Sequence, residues 1–142
     1  MSDNTQMLEY IYEGAEMGRD SISQLIKNTE DVQFRRALES QQSEYQSVMD
    51  EADKMMRASG VKPDGVGMMA KVSSQVMTSA KTMMDSSVTN MAEMMIQGST
   101  MGVTKMTRHL NELQGIDGDV HRLSQKLLDT EQNNIEQMKK YL

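Results

Sequence analysis

The chain has 142 residues, a formal charge of -6 and no cysteine, so it is one domain's worth of acidic polypeptide in which disulfides, thiolate metal sites and cysteine nucleophiles are excluded. Leu, Ile, Val and Phe supply only 25 residues, 18% of the chain, a share that with this charge points toward disorder; 17 methionines raise the core-forming total to 42, or 30%. One proline and 4% aromatic residues speak against an all-β domain, and no basic block stands out to grip a phosphate backbone.

The first predicted helix runs from about Thr5 to Lys27, capped by Asn4 or Thr5, with Leu8, Ile11, Tyr12, Ala15, Gly18, Ile22, Leu25 and Ile26 on one stripe. The polar stretch Asn28, Thr29, Glu30 and Asp31 ends it. The second helix continues to about Ser59. Its stripe, Phe34, Leu38, Gln41, Tyr45, Val48, Ala52 and Met55, is close to heptad spacing, and Gly60 with Pro63 closes it. So short a connection makes the two helices antiparallel neighbours. After residues 60–67, a Ser/Thr-rich connecting helix is expected from about Met68 to Met84, with Met69, Val72, Val76, Ala80 and Met83 on one face. Ser86 or Ser87 can cap the third long helix, Val88 to Leu113. The fourth spans Asp119 to Tyr141 behind Asp117 or Asp119 and carries Val120, Leu123, Leu127, Glu131, Ile135, Met138 and Leu142 on its inner face.

The two halves repeat. A shift of 84 places Glu9 on Glu93, Gly14 on Gly98, Met17 on Met101 and Gly18 on Gly102, and keeps the apolar stripe in phase. A shift of 90 places Leu38 on Leu128, Gln42 on Gln132 and Tyr45 on Ile135; it also makes Gln41 the counterpart of Glu131. The expectation is an all-α single domain over residues 1–142. It has hairpins at 5–59 and 87–142, related by a pseudo-twofold, and a helical crossover at 60–86. A connecting helix of about 17 residues reaches ~25 Å at 1.5 Å per residue, enough to travel the length of the bundle. A consecutive five-helix bundle is the competing topology. Gly inside an exposed helix loses ~1 kcal/mol relative to Ala, and here it recurs at four-residue spacing in two helices. Gly14, Gly18, Gly98 and Gly102 are therefore read as helix-packing residues, where the first and third helices cross closely.

Two hairpins joined by a long crossover resemble the ferritin-like superfamily, including the rubrerythrins, in the manner of a small bacterial member. The resemblance implies carboxylates at the bundle centre: a Glu from the first and third helices and Glu-x-x-His from the second and fourth. This chain departs from it. Glu39 is followed three residues on by Gln42, Glu44 by Ser47, Glu131 by Asn134 and Glu136 by Lys139. Of the two histidines, His109 and His121, neither falls at the family position. No catalytic, cofactor-binding or metal residue is therefore assigned. The positions left for an iron or manganese site are Glu9, Glu93, Glu131 and His109; against that, Gln41 and Glu131 read as polar residues fixing bundle register. Thioethers bind Cu(I), but most of these methionines replace Leu or Ile within amphipathic periods and read as core.

No nucleophile–base set or phosphate loop is present. The first residues show no signal peptide and no apolar run reaches membrane-span length, so a cytoplasmic address is expected, without nucleic acid or membrane span. Met17 and Met101 lie off the main stripe and suggest a second buried face, against the crossover helix or another subunit. The expected role is a non-catalytic structural or interaction protein, self-associating as a homo-oligomer and most simply a dimer, with no cofactor; a degenerate ferritin-like metal or redox protein is the alternative, and a Met-lined pocket for an apolar ligand a third reading.

Overall fold

The computed structural model describes residues 2–63 and 87–142. Four long helices account for nearly all of them: α1 (Asp3–Asn28), α2 (Val32–Ala58), α3 (Val88–Glu112) and α4 (Gly118–Lys139). No strand occurs among the described residues. The expected connecting helix lies outside them.

Local chemistry sets the helix ends. Asp31 caps α2 by accepting the Phe34 N–H at 2.8 Å, and Ser87 caps α3 by accepting the Asn90 N–H at 3.1 Å. The first helix starts two residues before the expected Thr5, because the cap is Ser2, whose hydroxyl accepts the Thr5 N–H, and not Asn4 or Thr5. At the end of α2, Gly60 takes φ +76°, its N–H donates to the Arg57 carbonyl, and the Val61 N–H donates to the Met56 carbonyl. That pair of bonds is a Schellman motif, and the left-handed φ explains glycine there.

Hydrogen bonds and ring contacts fix the helix directions. Arg19 and Ser23 of α1 meet Gln46 and Gln42 of α2, so these two run antiparallel. Thr89 at the start of α3 donates to the Tyr141 carbonyl just past α4, so these are antiparallel too. Tyr10 near the start of α1 stacks on His109 near the end of α3, and Lys126 of α4 reaches Ser47 and Glu51 of α2. Accordingly α1 opposes α3, α2 opposes α4, and α2 and α3 run in the same sense. The end of α2 and the start of α3 therefore lie at opposite ends of the bundle. A consecutive up-and-down arrangement of the four described helices does not have that property.

The core forms along the facing stripes. Met7, Leu8, Ile11, Ala15, Ile22 and Leu25 come from α1, Phe34, Leu38, Tyr45, Val48 and Ala52 from α2, Met91, Ala92, Met95 and Met106 from α3, and Val120, Leu123, Leu127 and Met138 from α4. Each fully buried Met, Leu or Ile contributes about 1.5–3 kcal/mol of transfer free energy, which is how a methionine-rich chain meets the core requirement. The α2 stripe ends on buried Met56 instead of the expected Met55. Six turns of a straight helix drift off a heptad repeat, and the seam follows the 3.6-residue period. Ile135 is half-buried, while Thr130 and Asn134 of the same helix are buried.

At one end of the molecule the start of α1 is tied to the α3–α4 turn. Asn4 Nδ2 donates to Asp117 Oδ2 at 2.8 Å, the Asp117 N–H donates to Asn4 Oδ1 at 2.7 Å, and the Gly115 N–H donates to Asp3 Oδ2 at 3.0 Å. Asp117 occupies the N-cap position of α4, yet its side chain makes no cap hydrogen bond.

Candidate functional site

Midway along the bundle the two hairpins meet through polar side chains. Tyr45 of α2 points its hydroxyl across the seam and donates a very short hydrogen bond to Glu131 Oε1 of α4. Asn134, three residues further along α4, donates from Nδ2 to the same hydroxyl at 2.9 Å. Ser99 of α3 lies beside the pair without reaching hydrogen-bond geometry to any partner. All four are buried; Glu131 is 5% exposed.

The space for this group comes from two of the repeated glycines. A Cβ on Gly18 would lie 2.4–2.6 Å from the Tyr45 ring, and a Cβ on Gly102 would lie 2.6 Å from Glu131 Oε2. This corrects the expectation that the glycines mark a crossing of the first and third helices. At Gly18 and Gly102 the surface left open by the missing Cβ admits a long polar side chain from the partner helix of the same hairpin. Gly14 has Leu127 of α4 at ordinary contact distance, 3.5 Å, and a Cβ on Gly98 would meet nothing within 4 Å among the described residues, so these two are not sites of close approach between the described helices.

Burial governs the electrostatics. It holds the Glu131 carboxyl up at about 7 from an ordinary 4.5, while the hydrogen bond from Tyr45 and the nearby Ser99 hydroxyl pull the other way. Burial first, and then the Glu131 charge, push the Tyr45 phenol well above its usual 10. Glu131 thus sits in the interior poised between acid and carboxylate near neutrality, with Tyr45 as a fixed donor to it. A carboxyl so poised can take up or release one proton.

The sequence-derived metal positions do not converge. Glu131 is central, Glu93 is exposed on the first turns of α3, and Glu9 is half-buried near the start of α1, at the opposite end of the bundle. His109 lies at the Glu9 end, away from Glu131 and Glu93: its ring stacks on Tyr10 with centroids 3.6 Å apart and planes 8° from parallel. Burial lowers its pKa, with Glu112, 3.9 Å away, acting in the opposite sense. No group of three or more His, Asp or Glu suited to hold a metal ion occurs among the described residues. A pair of iron or manganese ions needs several anionic oxygens. Glu131, the carboxylate beside Tyr45, is already engaged by that tyrosine and no such ligand group surrounds it among the described residues, so the donor set there does not fit such a pair.

The sequence places Tyr45, Gln41 and Glu131 on inner faces. It does not show that Tyr45 and Glu131 bond to each other, or that Asn134 and Ser99 join them. Their proximity depends on the register between hairpins, which spacing along one helix does not encode. The signal that was available is the glycine repeat, since each of Gly18 and Gly102 sits opposite a bulky polar residue.

Off the core, Met101 is 59% exposed, and its repeat counterpart Met17 is half-buried. Among the described residues no helix is long and apolar enough to cross a membrane.

No curated protein and no solved structure matches the chain. One family model does match, over residues 3–112, which takes in α1, α2 and α3 and stops before α4. The chain belongs to the family described as domain of unknown function DUF2383.

Proposed function

We propose that this chain is a non-catalytic structural or interaction protein: a ferritin-like bundle whose central position holds a polar lock between hairpins rather than a metal pair. The observation that carries this reading is the Tyr45–Glu131–Asn134 link, which joins the two hairpins where the ferritin-like resemblance implies metal-binding carboxylates. A buried polar residue that is fully paired specifies register and partner, and contributes little net stability. The reading includes self-association, most simply as a dimer, in a bacterial cytoplasmic setting without nucleic acid. Exposed Met101, together with the open surface at Gly98 one turn away on α3, supports a second contact face there. Met is suited to such a face because its unbranched side chain adapts to a partner.

Two measurements test the proposal. Light scattering on the untagged protein is expected to give twice the chain mass, and Met101→Glu is expected to shift it to the monomer. Metal analysis of the same sample is expected to show substoichiometric iron, manganese and zinc. A monomeric wild type removes self-association from the reading; a stoichiometric metal whose loss follows Glu131→Ala overturns the non-catalytic reading.

A further inference from the structure

One turn from Tyr45 on the same face of α2 lies Gln41, 5% exposed, with neither its Oε1 nor its Nε2 hydrogen-bonded to protein. Side chains on a helix lean toward its N-terminus, so the Tyr45 hydroxyl projects over the turn that carries Gln41. Ser99 of α3, 2% exposed, stands beside Tyr45 and Glu131 with its hydroxyl equally unpartnered. By the internal repeat, Gln41 is the counterpart of Glu131, so both project toward the pseudo-twofold axis from neighbouring, antiparallel helices.

Three buried polar atoms without protein partners are a heavy burden for one bundle, since each truly orphaned group destabilises by about 1–3 kcal/mol. Apolar residues of similar volume are abundant in this core and would remove that penalty. Retention of an amide and a hydroxyl here implies a hydrogen-bonding guest. Gln41 and Ser99 together offer donors and acceptors of both kinds, as a water molecule requires of its two to four partners. The amide and hydroxyl carry no charge, and the neighbouring Glu131 already accepts from Tyr45. A neutral guest therefore suits them better than an ion.

We infer that the bundle centre is a binding site for internal water, held between the Gln41 amide and the Ser99 hydroxyl beside the Tyr45–Glu131 pair. The water is an integral part of the seam between hairpins, and through it the amide on α2 is linked to the hydroxyl on α3.

The test uses the full chain labelled with nitrogen-15. Cross-relaxation between the Gln41 side-chain amide protons and water, of the sign given by residence longer than a nanosecond, is expected in the wild type, whose Gln41 resonances are assigned by through-bond correlation in a sample also labelled with carbon-13. Gln41→Leu and Ser99→Ala are each expected to lower Tm, because the guest loses a partner. Absence of the water contact in the wild type overturns the inference, and this measurement stands even where a variant fails to fold. A rise in Tm for Gln41→Leu overturns it as well, since that is the result for an orphaned amide with no guest. Dependence of the signals or of Tm on the identity of an added alkali or ammonium cation assigns the site to an ion and overturns it too.

Discussion

Replacing Glu131 with Gln isolates the electrostatics of the bundle centre. The native carboxyl binds its proton up to about 7, whereas in the unfolded chain it releases it near 4.5. Between these values the native state holds a proton that the unfolded state has lost. Stability from this group is therefore fully present below about 4.5, falls as pH rises, and is flat above about 7. At about 1.4 kcal/mol per pH unit, that interval corresponds to a loss of about 3 kcal/mol. An amide keeps the shape of the protonated acid, still accepts from the Tyr45 hydroxyl and cannot ionise. Urea unfolding of both proteins at pH 5, 6, 7 and 8 is the assay. The other carboxylates are common to both and cancel in the difference. Near-equal stability is expected at pH 5, and Glu131→Gln is expected to be the more stable by about 2–3 kcal/mol at pH 8. For a chain of this size that is roughly 5–10 °C in Tm. Parallel pH profiles for the two proteins would refute the assignment of a buried, proton-holding Glu131.

Further outcomes follow from the same geometry. Tyr45→Phe removes a hydrogen bond that favours the charged carboxyl, so the pH-dependent loss should move to higher pH, and the unpaired Glu131 and Asn134 should lower stability by about 1–3 kcal/mol in the same titration. Gly18→Ala should destabilise by about 1–3 kcal/mol in thermal melts, because the Tyr45 ring has no room to give. Gly98→Ala faces open space on an exposed helical turn and should stabilise by up to ~1 kcal/mol; equal effects at the two glycines would contradict the packing described. Asp31→Ala removes the α2 cap and should cost about 1 kcal/mol by urea unfolding.

Much of the fold was legible because it rests on local physics. The 3.6-residue stripes located the core from Leu8 to Met138, and Ser87 and Gly60 marked helix ends by their backbone chemistry. Gln41 and Glu131 were recognisable as polar residues facing inward for the same reason. The sequence says less where two segments distant in sequence meet. Repetition made the glycines conspicuous, yet which side chain fills the space above Gly18 depends on the rotation of α2, and two small-residue patches of equal spacing suggest each other first. His109 read as a stripe position near a helix end, whereas its environment is set by Tyr10, 99 positions earlier in the chain. Met101 had the phase of a second face, and phase alone does not say what, if anything, lies on it.

The bond between Asn4 and Asp117 bears on how the molecule opens. The carboxylate that stands in the capping position of α4 is turned away from its own helix and spent on the start of α1. A local device has been exchanged for a long-range one, so the order of the fourth helix's first turn depends on the first few residues of the chain. When α1 frays at its beginning, the Asp117 and Gly115 amides lose their acceptors in the same event. Amide hydrogen exchange at these two places, 112 and 113 positions apart from their partners, should then proceed as one opening rather than two. The terminus and the turn form a single cooperative unit at that end of the bundle, and a fusion or deletion at the start of the chain acts on the far hairpin first.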